Sequence, residues 1–152
     1  MSTRANIRIR TLGADQGEEI QLYRHCDGYP TSVLPSLVKA FEMSGGGWPG
    51  GRAGQTASFI CAAGYNPEMA TPYTAYEPEQ GTQLHPDVEW VYVLTLLNNP
   101  KDGKIFWKVE VSKPLSGFWD DPTFDNLKLV DGGPLYDVAA RAETIEGKED
   151  TD

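Results

Sequence analysis

The sequence predicts a single α+β domain, an antiparallel sheet built from two β-hairpins with one or two helices packed on one face. Three observations carry this expectation. Apolar residues alternate with polar ones in short runs that fall into two pairs, and between the pairs lies a stretch with apolar residues at helical spacing. The chain has 152 residues, 39% of them hydrophobic, which suffices for one core without staples.

The first pair of runs is Ile7 and Ile9 alternating with Arg8 and Arg10, then Ile20, Leu22 and Cys26 alternating with Gln21, Tyr23, His25 and Asp27. Gly13, Asp15 and Gly17 stand between them as turn formers. Pro30, Thr31 and Ser32 then supply stop and N-cap chemistry, and Leu34, Leu37, Val38 and Phe41 recur at helical spacing up to Gly45. One amphipathic helix over about residues 32–44 is expected, with Pro35 in its first turn, where a missing N–H costs least. Gly45 to Gly51, interrupted by Trp48 and Pro49, reads as a mobile loop. Gln55 to Ala63 forms a short second helix with Phe59, Ile60 and Ala63 inward, ended by Gly64.

The strongest periodic signal follows a Pro-rich passage. Val88, Trp90, Tyr92, Leu94 and Leu96 take one face of a strand, and Asp87, Glu89, Val91, Val93 and Thr95 the other. Asn98 to Gly103 turns the chain, and Ile105, Trp107, Val109 and Val111 alternate on the way back. Three regions result: an α+β domain over 1–113, an irregular acidic arm over 114–138 packed on it, and a disordered acidic tail over 139–152.

Charge is distributed unevenly. Against 13 Lys plus Arg stand 22 Asp plus Glu, a net charge of −9. Residues 1–52 carry 6 basic and 5 acidic groups, residues 53–113 carry 4 and 7, and residues 114–152 carry 3 and 10. Direct nucleic-acid binding, which draws affinity from clustered Lys and Arg, is therefore not expected. No apolar run approaches the ~20 residues of a membrane span, and Met1 to Arg10 lacks the apolar segment of a signal peptide. A cytoplasmic, intracellular protein with no membrane partner is expected. Cys26 and Cys61 read as free thiols.

Two polar constellations carry the candidate chemistry. Tyr23 to Pro30 and His85 to Tyr92 each contain H-x-D, and the chain's two histidines both occur there. Strand alternation puts Tyr23, His25 and Asp27 on one face and Asp87 with Glu89 on one face, joined by His85 if the strand begins early. Were the hairpins neighbours in one sheet, two imidazoles and up to three carboxylates would converge. That set suits a divalent metal, held by His25, Asp27, His85 and Asp87 with Glu89 as catalytic base, or general acid–base work. The bland counterpart is equally physical: Asp27-Gly28-Tyr29-Pro30 makes a strand-to-helix corner, and Pro86 restricts His85. Gly45 to Gly51 lacks the G-K-[ST] ending of a phosphate loop.

At these residues the chain resembles a group of small, mostly uncharacterised bacterial and phage-encoded proteins. They share a Y-x-H-x-D-G-Y-P corner before a helix and an H-x-D-[IV]-E-[WY]-x-Y strand downstream. The matching positions are Tyr23, His25, Asp27, Gly28, Tyr29 and Pro30, then His85, Asp87, Val88, Glu89, Trp90 and Tyr92. Pro86 departs from the pattern, in which a Gly is usual. The resemblance implies a mobile-element origin and no particular reaction.

The function expected from all this is a non-catalytic acidic protein-binding module from a phage or mobile element, needing no cofactor. Its partner would be a host-defence or nucleic-acid-handling protein with a basic groove, which the acidic surface meets as a phosphate strand would. Tyr23, His25, Asp27, Tyr29, Trp48, Trp119, Asp120 and Asp121 are the expected binding residues. The alternatives are the metal-dependent hydrolase or nuclease just described, and a virion or scaffold component that buries its hairpins and Trp residues in a homo-oligomer.

Overall fold

The computed structural model describes residues 3–11, 19–46, 52–66, 68, 73–81, 83–98 and 101–147. The first hairpin joins β1 (Ala5–Thr11) to β2 (Glu19–Arg24) in antiparallel register, Ile7 opposite Leu22 and Ile9 opposite Ile20. The helical stretch forms α1 (Pro30–Met43), and α2 (Ala53–Ala63) follows. Two short strands, β3 (Tyr65–Asn66) and β4 (Tyr73–Thr74), make a separate ribbon. After β5 (Tyr76–Pro78) comes the second hairpin, β6 (Trp90–Asn98) with β7 (Ile105–Pro114), Leu94 opposite Val109.

The two hairpins lie side by side, joined by β1 and β6 in parallel, with Ile7 against Tyr92. The α+β fold expected from the sequence is present, its sheet built from the two hairpins and mostly antiparallel, with one parallel seam at the centre. Between β1 and β6 the chain runs through β2, both helices and β5, a connection long enough for two strands of the same direction to lie side by side, which a tight turn cannot provide. All other pairings in this sheet are antiparallel.

Ile7, Ile9, Leu22, Tyr92, Leu94 and Val109 point to one face and are fully buried. Val33, Leu34, Leu37 and Ala40 of α1 and Ala53, Ala57 and Ile60 of α2 close over them. Helix α1 starts two residues before the expected position, because Pro30 already holds a helical φ at N1. It ends where Gly45 takes φ +74° and the Ser44 N–H returns to the Ala40 carbonyl. Helix α2 likewise begins two residues early and stops at Gly64 as expected.

The C-terminal quarter departs from expectation. The arm over 114–138 holds a 3-10 turn (Phe124–Asn126), then β8 (Leu127–Pro134), which pairs with β7 and completes the sheet order β5-β2-β1-β6-β7-β8. Strand β7 would otherwise present unpaired N–H and C=O groups, and β8 satisfies them despite its own weak pattern. The tail expected to be disordered contains α3 (Leu135–Ala140) and α4 (Ala142–Glu146). Leu135, Val138, Ala142 and Ile145 recur at one helical face and are buried in the main core against α1. Residues 135–147 therefore share the main core of residues 1–113; residues 148–152 lie outside the described residues. Among the described residues no helix is long and apolar enough to cross a membrane.

Candidate functional site

The sheet face turned away from the helices is built differently. Its central positions are Asn6, Arg8, Gln21, Tyr23, Val91, Val93 and Thr95, buried although most are polar. Two segments cover part of it. Leu84 and Val88 from the stretch before β6, and Phe118 from the arm, pack on Tyr23 and Val91 as a second small core.

Buried polar groups demand partners, and here they form a ladder. Glu79, just past β5, accepts from Asn6 Nδ2 at 2.9 Å and from Gln21 Nε2 at 3.2 Å on one carboxylate oxygen. Arg8 donates to Gln21 Oε1 at 2.8 and 3.2 Å and to Glu19 at 3.2 Å. Burial pulls the Arg8 guanidinium below its ordinary value, and Glu19 works against that shift. Phe124 of the arm lies against the Arg8 guanidinium, 5.0 Å from ring centroid to Cζ.

The two H-x-D motifs meet at one end of this ladder. The Tyr23 ring stacks on His85 with centroids 4.3 Å apart, and His25 meets Tyr23 edge-on at 4.6 Å. Each imidazole has its own carboxylate. His25 Nε2 lies 3.0 Å from Glu77 Oε2, and His85 Nε2 contacts the second carboxylate oxygen of Glu79. The Tyr23 hydroxyl donates to Asp87 Oδ2 at 3.1 Å, and Arg4 Nε lies 3.5 Å from the same oxygen. Burial first, then the Asp87 hydrogen bond and charge, push the Tyr23 hydroxyl up to about 12.

The motifs thus come together around the Tyr23 phenol. Asp27 sits apart, at φ 55°, and accepts from the Tyr29 hydroxyl at 3.1 Å. Among the described residues no group of three or more His, Cys, Asp or Glu side chains could hold a metal ion. The expected ligands His25, Asp27, His85 and Asp87 are distributed over separate contacts. Glu89, expected beside Asp87 as a base, instead lines a cavity with Tyr29, Trp90 and Lys113. The cause is local: β6 begins only at Trp90, so strand alternation does not govern His85 to Glu89. Pro86 and Asp87 turn there, and Val88 goes to the outer cluster instead of the helix-covered face.

Of the remaining expected residues, Trp119, Asp120 and Asp121 lie on the arm. Phe118 is 1% exposed, whereas its neighbour Trp119 is 66% exposed beside exposed Asp120 and Asp121. Leu115, Phe124 and Leu129 are also exposed. Asn126 fixes the arm's shape: its Nδ2 donates to the Asp121 carbonyl at 2.8 Å and to Asp121 Oδ2 at 3.2 Å, and its carbonyl accepts from the Leu115 N–H at 2.8 Å. Trp48 lies outside the described residues.

Sequence reading missed Glu77, Glu79, Asn6, Gln21 and Arg4. The alternation of Glu77, Pro78 and Glu79 was a faint edge-strand signal, but the pairing of β5 with β2 is long-range. No family model, curated protein or solved structure matches the chain.

Proposed function

We propose that this chain is a non-catalytic protein-binding module whose arm, on the sheet side opposite the helices, docks into a basic groove of a nucleic-acid-handling or host-defence protein. On this reading it is a mobile-element product, and its carboxylates take the place of a phosphate strand. One observation carries the proposal: Trp119 stands 66% exposed beside Asp120 and Asp121, on an arm held down by a neighbouring Phe118 that is 1% exposed. An indole left in water forgoes the favourable burial of its apolar surface, which a partner can supply, and aromatic side chains are frequent energetic anchors of interfaces. The apolar anchors are Trp119, Leu115, Phe124 and Leu129; the acidic rim of Asp120, Asp121 and Asp125 steers a cationic partner.

The test immobilises the full chain and measures binding of purified basic nucleic-acid-binding proteins by interferometry at low and high salt. Trp119→Ala is expected to weaken a true partner by about 2 kcal/mol, roughly thirtyfold. Asp120→Asn with Asp121→Asn is expected to slow association and reduce its salt dependence. Binding that is insensitive to both substitutions, or to salt, counts against the reading.

A further inference from the structure

At one end of the sheet, where β6 starts and β7 ends, lies a cavity of about 520 Å³. Trp90 and Tyr29 give it aromatic walls, Glu89 and Glu146 bring carboxylates, and Lys113 and Pro114 close the side that runs into the arm. The Lys113 ammonium rests over the Trp90 indole, 4.8 Å from the ring centroid. The indole face thus already accepts a cation from this chain, held by the attraction between charge and ring quadrupole. The two carboxylates differ. One oxygen of Glu146 is committed to α1, accepting from the Thr31 N–H at 3.0 Å and hydroxyl at 2.7 Å. The Glu89 carboxylate has no hydrogen-bond or ion-pair partner among the described residues.

We infer that this cavity binds a cationic side chain, the ammonium or guanidinium of a partner protein's Lys or Arg, which displaces Lys113 from the Trp90 indole and pairs with Glu89. The charges favour that sign: the lining carries two carboxylates against one ammonium, so it is negative whether Lys113 rests on the indole or is moved off it. An aromatic face beside an acidic group is the arrangement that recognises organic cations, because the ring replaces lost hydration where a lone carboxylate would not. The inference rests on the protein-binding reading and deepens it: Pro114 passes directly into the arm at Leu115, so a basic partner lying along the arm reaches the cavity with one side chain.

The experiment titrates capped Gly-Arg-Gly and Gly-Lys-Gly tripeptides, with the neutral Gly-citrulline-Gly as control, into the isotopically labelled full chain. The Trp90 and Trp119 indole N–H resonances are followed separately. Both cationic peptides are expected to shift Trp90 and to bind about tenfold tighter than the neutral one. Glu89→Gln, at an exposed position, is expected to weaken them about threefold without changing thermal stability. Lys113→Met removes the resident competitor and is expected to tighten binding. Equal affinity for charged and neutral peptides, an unmoved Trp90, or weaker binding by Lys113→Met overturns the inference. Shifts confined to Trp119 overturn it too, while leaving the arm-docking reading standing, which the Trp119→Ala measurement tests on its own.

Discussion

The Tyr23 ring lies flat against the His85 imidazole, centroids 4.3 Å apart and planes 29° apart, and its hydroxyl donates to Asp87. A side chain from the first hairpin is thereby locked to the segment that leads into the second. Burial and Asp87 hold the Tyr23 hydroxyl at about 12. A phenol whose folded value lies above its unfolded one, about 10, keeps its proton longer in the folded state. Its contribution is complete below pH ~10 and is lost as pH climbs towards the folded value. Burial also raises the Tyr76 and Tyr92 hydroxyls, which act in the same direction. Tyr23→Phe is expected to cost about 1 kcal/mol at neutral pH through the lost hydrogen bond. It should also flatten part of the alkaline loss of stability, read from urea midpoints across pH. An unchanged alkaline slope would refute the assignment.

Gly28 answers a steric demand. A Cβ there would lie 2.8 Å from Ala5 Cβ and 3.0 Å from backbone atoms of Arg4 and Ala5, while the Gly28 carbonyl accepts from the buried Tyr92 hydroxyl at 2.8 Å. Neither neighbour is a flexible side-chain tip. Gly28→Ala is therefore expected to destabilise by roughly 1–3 kcal/mol, as overpacked cores do. Next to it, Asp27 occupies the left-handed region at φ 55°. Asp27→Gly should unfold at higher denaturant than Asp27→Ala by about 1 kcal/mol, since only the former fits that conformation without strain. Equal midpoints would show that the corner relaxes.

The C-terminal helices are part of the core, and two substitutions check this. Ile145 is fully buried, so Ile145→Ala is expected to cost about 2–5 kcal/mol in chemical denaturation. Glu146 takes the Thr31 N–H at the start of α1, and Glu146→Ala is expected to cost about 1 kcal/mol. Hydrogen exchange on the first turn of α1 should quicken in the second variant. A chain truncated after Arg141 that retains full stability would contradict both expectations.

Glu79 joins three partners, Asn6, Gln21 and His85, across two strands and a loop. Glu79→Ala removes one acceptor from each of two buried amides, which keep the Leu22 and Gln83 carbonyls, and is expected to cost roughly 1–3 kcal/mol, more than His85→Ala. A double-mutant cycle between the two positions should return a coupling of about 1 kcal/mol. Additive losses would show that the imidazole and the carboxylate act independently.

Both hairpins, α1 and α2 were legible because their signals are local. Alternation at Ile7 and Ile9, at Trp90 to Leu96 and at Ile105 to Val111 requires only neighbouring residues, and so does the spacing of Leu34, Leu37 and Phe41. The periodicity of Leu135, Val138, Ala142 and Ile145 was equally present in the chain. It spans two short helices broken at Arg141 and is interspersed with charged residues, which mask it.

At the site, residue order was enough to mark the two H-x-D motifs as a pair that converges if the hairpins are neighbours, but the contacts made are those of Tyr23 with His25, His85 and Asp87, while Asp27 and Glu89 lie apart. It was not enough to say what they surround. Alternation predicted Glu89 beside Asp87, but the turn at Pro86 and Asp87 sends it to the cavity by Trp90. The carboxylates that engage the imidazoles, Glu77 and Glu79, arrive through the pairing of β5 with β2.

Periodicity, turn chemistry and charge order are properties of adjacent residues, and from them the chain alone determined its two ribbons, its main helices and the acidity of its last quarter. The parallel seam between β1 and β6, the recruitment of β8 and the partners of each imidazole were decided only by the tertiary structure. Those features depend on which unpaired edges and buried polar groups find one another across long stretches of chain, and hydrogen-bond satisfaction over such separations leaves no local trace.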